Sequence, residues 1–545
     1  MIFSKLQIPE EFMDIWSNFQ NNILSNKGYT TLALGGTISV LVFLNFLKNW
    51  IKQLSFYKKL NIPGPKPWPL IGNIQNVMRE GFVKHDIELM KKYGRVVGYF
   101  EGSTPVVLTT DVKFIKNVMI KDFNSFVNRR TFESFTIEPT DKFMTILKDE
   151  EWKNVRAIVT TAFTSGKLRS MSKHINECSD VFETNLEKLA DKDGMFDTKK
   201  LFSGFTLDVI SSCCFGVSTN SINEPDNEFI THMQKIFRNS VKPDPKIMLL
   251  FFFPRLAAFL VKRGLIEFFP IKTLKFFEDF INMIIERRKN KLETRDDFIQ
   301  NILDHEESKS LETVVKDFEN EHSESKLYKW NTGLKKTLTN REILSQSILF
   351  LLAGYETTAQ TLCYIAYNLA MNPEYQQKLC EEIDSVLEKH DGKISYDSIN
   401  EMSYMDNVID ETLRLFPPAL RLDRVASQDY EYNGMKIKKG MVWSVPIWAL
   451  HHDPEIYPDP YEFRPDRFNE EEKKKRDNVT FLAFGAGPRN CIGMRFALIE
   501  IKLLLSLILS KFYFEKCDKT PETIEIDNSG FARPVKPIIV KVNRR

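Results

Sequence analysis

The sequence predicts a mainly helical fold with small β-sheets, and three observations lead there. Long stretches place apolar residues at helical spacing: "FFEDFINMIIERRKN" from Phe276, "NREILSQSILFLLAGYETTAQTLCYIAYNLAMNP" from Asn340, "NVIDETLRLF" from Asn407 and "MRFALIEIKLLLSLILSKF" from Met494. Short strand-like pieces, "VVGYFEG", "PVVLTT", "EYNGMKIKKG" and "KPIIVKV", lie between and after them. Beyond Gly72 no repeat and no long flexible linker divides the chain, so 545 residues with 43% hydrophobic side chains fit one large domain with an insertion.

Residues 1–27 are largely polar. The next twenty, "GYTTLALGGTISVLVFLNFL" from Gly28 to Leu47, carry no charge. At about 1.5 Å per residue they cover the ~30 Å of a bilayer core, which predicts a transmembrane helix over 28–47. The polar length ahead of the span argues against a cleaved signal peptide. Lys48, Lys52, Lys58 and Lys59 outnumber Lys5 and Lys27, which leaves 1–27 in the lumen and the remainder in the cytoplasm. Residues 48–70 read as a basic hinge stiffened by the four prolines of "NIPGPKPWPL". The globular body takes 71–545. Within it, the polar stretch 304–337 reads as a surface insertion.

A net charge of +2 from 75 basic and 73 acidic residues offers no nucleic-acid footprint. Seven cysteines without a C-x-x-C spacing argue against a disulfide framework or a zinc site, and reduced thiols in a cytosol-facing domain are the simpler reading.

The chemistry concentrates in a few segments. In "FGAGPRNCIG", Phe484 to Gly493, the glycines allow tight turns and close approach to something flat, and a helix follows. Cys491 is thereby placed at a helix N-terminus, where backbone N–H groups and Arg489 favour the thiolate. Further upstream, "AGYETT" sets Gly354, Glu356 and Thr357 inside an apolar helix. A local kink or widened turn there predicts a groove beside the acid and the hydroxyl. "ETLR" puts Glu411 and Arg414 at i and i+3, by default a surface ion pair. Arg467 of "FRPDRF", Arg421 and Arg424 of "PPALRLDR", and Trp152 with Arg156 of "WKNVR" supply donors for carboxylates or phosphates. Two further stretches each carry two readings. Residues 246–270, with six phenylalanines and four basic residues, fit an amphipathic membrane contact or core packing. "KKKR", Lys473 to Arg476, fits a docking patch for an acidic redox partner or a solvated loop.

In this order and combination the residues resemble the cytochrome P-450 family of haem-thiolate monooxygenases, from the proline hinge to the C-terminus. The resemblance implies the cytochrome P-450 fold, haem b as cofactor and Cys491 as axial iron ligand, in a loop with Phe484, Gly485, Gly487, Arg489 and Gly493. It implies that Glu411, Arg414 and Arg467 form a structural triad. Ala353, Gly354, Glu356 and Thr357 match the oxygen-activating groove. Trp152, Arg156, Arg424 and Arg489 fall where haem propionates are held. It further implies electrons from NADPH through a separate reductase, with cytochrome b5 as a second candidate donor, and an endoplasmic reticulum location. Within the family, "AGYETT", "ALHHDPE", "FLAFGAGPRNCIG" and the insertion before Asn340 resemble the clan of thromboxane synthase and the drug-oxidising liver enzymes. Thromboxane synthase, an endoperoxide isomerase, has an apolar residue where Thr357 stands, so the hydroxyl favours oxygenation of an apolar substrate over rearrangement. A haem-binding protein without turnover is the remaining alternative.

Overall fold

The computed structural model describes residues 27–237, 245–304, 337–527 and 530–545. The proposed lumenal segment and the insertion at 304–337 fall almost wholly outside these residues.

Helix α1 (Lys27–Lys59) is 33 residues long. It runs past the predicted end at Leu47 because nothing between there and Lys59 breaks a helix; Asn61, at φ 59°, turns the chain just beyond it. Residues 48–59 are therefore helix rather than hinge. A 26-residue stretch, Leu34–Lys59, is apolar and long enough to cross a membrane. Its far end is anchored in the body: Tyr57 is buried and its hydroxyl donates to the Tyr99 carbonyl at 2.6 Å. The proline segment also lies against the protein instead of standing clear of it, since the Gly98 N–H donates to the Pro63 carbonyl at 2.8 Å and Ile62 is buried.

The strands are β1 (Val96–Glu101), β2 (Thr104–Thr109), β3 (Met195–Asp197), β4 (Arg421–Val425), β5 (Tyr430–Tyr432), β6 (Met435–Ile437), β7 (Val442–Pro446), β8 (Phe512–Glu515), β9 (Ile526–Asp527), β10 (Arg533–Pro534) and β11 (Ile539–Arg544). The largest sheet has the order β1-β2-β7-β4 and is antiparallel except for β2 with β7, where Val106 pairs with Val442. A second sheet, β3-β11-β8, joins the C-terminus to mid-chain.

The helices that frame the site are α2 (Ile74–Tyr93), α3 (Asp149–Thr160), α4 (Thr198–Phe215), α5 (Pro245–Phe252), α6 (Pro254–Lys262), α7 (Asn340–Met371), α8 (Ser403–Leu415) and α9 (Met494–Lys511). The central one is α7. A capping box starts it: the Glu342 N–H donates to Thr339 Oγ1, and the Thr339 N–H donates to Glu342. The helix then continues unbroken through Gly354, so the expected kink is not formed. Gly354 serves packing instead, because a Cβ there would sit 2.8 Å from Ile210 Cδ1 of α4. Most of α7 is buried in the main apolar core, as a helix apolar on nearly all sides must be.

Residues 246–270 divide between the two readings the sequence leaves open. Phe251 packs edge-on against Phe132, and Phe268 against Phe135. On α6, by contrast, Ala257, Ala258 and Val261 are buried while Leu256 and Phe259 face outward, Phe259 with 52% of its surface exposed.

Candidate haem-thiolate site

The cysteine loop is built by its glycines. Gly485 and Gly487 have φ of 73° and 67°, the left-handed region that side chains disfavour. At Gly487 a Cβ would lie 1.9 Å from the Met119 carbonyl oxygen, so no other residue fits. The chain then turns back so that the Cys491 N–H donates to the Phe484 carbonyl at 2.8 Å. Gly493 differs from the other two: its φ is ordinary, and a Cβ there would meet no atom within 4 Å. It leaves room where something flat can approach.

Cys491 is exposed, yet burial is the largest influence on its thiol and pushes it up. Both observations hold if the sulfur opens onto a space enclosed by protein. Opposing the burial, the Gly493 and Met494 N–H groups at the start of α9, then Arg156 and Arg129, favour the thiolate. The expected help from Arg489 is not what is found. Its guanidinium donates to the Leu147 carbonyl at 2.7 Å and lies over the Trp152 ring at 4.2 Å. Arg156, from α3, donates to the Asn490 carbonyl and side chain at 3.0 and 2.8 Å, bracing the cysteine loop from the neighbouring helix.

The charge balance around the loop is the informative feature. Arg129 donates to the Arg489 carbonyl, and Arg424 to the Asp423 carbonyl, but the Nε of each is buried without a hydrogen-bond partner. Burial pushes both guanidiniums below their usual range, and for Arg424 the next cause is Arg129 itself. Two neighbouring cations, Arg424 buried and Arg129 partly so, each with a buried free donor, suit a dianion brought in by a ligand. A haem, with an iron for Cys491 and two propionates, fits these residues. Arg421 takes no part, because it pairs with Asp86 of α2 and with Glu101.

The triad of Glu411, Arg414 and Arg467 is assembled, and it is no surface pair. Glu411 and Arg414, both on α8, are 0% exposed. Arg414 meets the carboxylate twice, at 2.7 and 2.9 Å, and Arg467 Nε lies 3.2 Å from Glu411 Oε1. The remaining Arg414 donors go to the carbonyls of His451, Pro460 and Glu462, which ties the end of the short helix Ile447–His451 and the 460–462 loop to α8.

On α7, Ala353 is exposed although Leu351, Leu352, Tyr355 and Glu356 around it are buried, so the open side of the helix is the Ala353 side. Thr357 belongs to that side, its hydroxyl donating to the Ala353 carbonyl at 2.7 Å. Glu356 does not share the groove. Its carboxylate lies 2.9 Å from Lys199 and 3.1 Å from Arg533, on the wall of a separate cavity. The sequence motif thus delivers two neighbouring residues to two different faces of one helix.

Arg129, His451, Lys199 and Arg533 were not singled out from sequence. The role of each depends on contacts far away along the chain; His451 lies inside "ALHHDPE", but nothing in that stretch shows that its ring reaches Leu482. Cys213 and Cys214 are fully buried and burial pushes both thiols well up, as packing residues require.

Fold and loop together define a haem-thiolate enzyme. The cytochrome P450 family model matches residues 62–542, and the chain belongs to that family as a cytochrome P450 monooxygenase. Among its relatives, Cytochrome P450 3A31 of Mesocricetus auratus is 40% identical over 492 residues, covering 90% of this chain and 92% of the relative. Cytochrome P450 3A2 of Rattus norvegicus is 39% identical over 523 residues, covering 96% and 98%. Cytochrome P450 3A5 of Homo sapiens is 38% identical over 529 residues, again covering 96% and 98%.

Proposed function

We propose that this protein is a membrane-anchored monooxygenase that inserts one atom of O2 into an apolar lipid, steroid or xenobiotic substrate. The second atom leaves as water, with NADPH and a proton supplying the reducing equivalents through a separate reductase. The observation that carries the reading is Cys491, held in its glycine loop beside Arg129 and Arg424. In holding haem, Cys491 would ligate iron, and Arg424, Arg129 and the Trp152–Arg156–Arg489 group would receive the propionate edge. Bound haem supplies the redox chemistry, made strongly oxidising by the thiolate.

The chain's own residues do the rest. Phe350, Leu351 and Leu352 anchor α7 in the apolar core and hold its Ala353 side in place. Thr357 Oγ1 holds a proton against the Ala353 carbonyl and keeps its lone pairs free to accept another. Glu356, adjacent in sequence, holds its carboxylate between Lys199 and Arg533 on the far side of the helix. The exposed α1 span and the outward face of α6 fit a cytoplasm-facing enzyme on the endoplasmic reticulum membrane. Cytochrome b5 is a second electron donor in this reading.

The test is turnover with 18O2, NADPH and added reductase over a panel of lipids, steroids and drugs. One labelled oxygen atom per product supports the reading. Conversion of a lipid endoperoxide without reductase, and no labelled product from any substrate, replaces it with isomerase chemistry.

A further inference from the structure

Behind α7, on the face opposite in role to Thr357, lies a cavity of about 600 Å3. That volume is within the roughly 300–1,000 Å3 of small-ligand pockets. Its walls come from α4, α7, the helix Glu228–Phe237 and the β9–β10 region, with Ile230 and Ile538 among the apolar contributors.

Buried polar atoms converge on this cavity without hydrogen-bond partners. Gln360 is 4% exposed, and neither its amide nitrogen nor its amide oxygen is satisfied. Lys199 Nζ and Arg533 Nε are likewise buried without an aligned acceptor. Both nitrogens lie at ion-pair distance from Glu356, at 2.9 and 3.1 Å, but their geometry is that of charges in proximity and not of hydrogen bonds. The unmatched set holds three donor groups and one acceptor. Buried polar groups left in this state cost stability, so the cavity is arranged for something that brings acceptors. Acidic residues share its rim, so the preference arises from the buried donors and not from net charge.

The spacing of the donors names the class of acceptor. Lys199 faces one oxygen of Glu356 and Arg533 faces the other, so the two cations already bracket a carboxylate. Beside them Ile230, Phe237 and Ile538 give the lining an apolar part.

We propose that this cavity binds a small amphiphilic carboxylate, its head taken by Lys199, Arg533 and Gln360 and its alkyl chain lying against Ile230 and Ile538. The ligand competes with Glu356 for the same two cations. This gives the site an internal control, because removing the Glu356 charge must strengthen binding while removing the cations must weaken it.

The probe is decanoate, titrated by equilibrium dialysis into holoenzyme whose haem pocket is filled by a bulky azole. The azole-bound Soret band reports the haem site throughout, so failure of the second site is distinguishable from failure of the monooxygenase reading. Expected is saturable binding with no change in that band. Decanol should bind at least about tenfold more weakly, equivalent to ~1.4 kcal/mol. Arg533→Gln and Gln360→Leu should each weaken decanoate by a similar factor, and Glu356→Gln should strengthen it. Ile230→Trp fills the cavity without altering a charge and should abolish binding. No saturable binding, equal affinity for decanol, or an unchanged affinity across the three polar variants overturns the proposal.

Discussion

His451 Nε2 accepts the backbone N–H of Leu482 at 2.9 Å, while its Nδ1 lies 3.2 Å from the Arg414 carbonyl. One buried imidazole therefore joins the triad helix to the segment that leads into the cysteine loop. Burial holds its pKa well below the usual value, so the ring is neutral, with the proton on Nδ1 donated to Arg414. His451→Ala strands a buried carbonyl and a buried N–H, each worth about 1–3 kcal/mol. The thermal midpoint of the holoenzyme should fall by several degrees and haem should be lost faster. An unchanged midpoint contradicts the pin.

Arg129 should show opposite effects on the two forms of the protein. In the apoprotein it is a partly buried cation with an unpartnered Nε beside another cation, so Arg129→Met should raise apoprotein stability. In the holoprotein the same change removes a charge-assisted donor worth about 1.5–3 kcal/mol, roughly a ten- to hundredfold loss in haem affinity. Denaturant midpoints of both forms and haem transfer rates check this. A variant that loses stability in both forms shows that Arg129 is merely structural.

Much of this was legible before the structure. The triad and the cysteine loop appear in sequence because backbone geometry and buried charge demand particular residues there, such as Gly487 against the Met119 carbonyl. Apolar composition locates a membrane span but not the point where its helix docks, which Tyr57 of α1 decides by donating to the carbonyls of Tyr99 and Val106 in the sheet. Glu356 and Thr357 were assigned to one groove because adjacency in sequence hides the ~100° step between neighbours on a helix. Lys199 and Arg533 reach Glu356 from opposite directions along the chain, and no local pattern carries that information.

Acid should test the buried network around Glu101. Burial alone would raise its carboxyl, but Arg130 and Arg421 outweigh that and pull it down to about 2. A carboxylate depressed this way contributes stability above its unfolded value near 4.5 and loses it as pH falls toward 2. The contribution is roughly 3 kcal/mol. Denaturant midpoints should decline over that window, and Glu101→Gln should be less stable at neutral pH but nearly flat across it. An equally steep acid decline in the variant removes Glu101 from the account.

Thr357→Ala should leave haem content and spectrum intact while product per NADPH drops, with hydrogen peroxide rising in its place. A lost proton donor typically slows the affected step by about 10²–10⁴-fold. Turnover driven by a pre-formed organic peroxide bypasses that step and should be similar in both proteins. Equal coupling in variant and wild type removes Thr357 from proton delivery.

Thiolate ligation by Cys491 is the claim on which the rest depends, and the carbon monoxide difference spectrum of the reduced protein tests it most directly. The wild-type protein should show the strongly red-shifted Soret band of a haem opposite a thiolate. Cys491→Ser should lose that band, even where some haem is retained. A variant that keeps the red-shifted band places the iron ligand on another residue and contradicts the account.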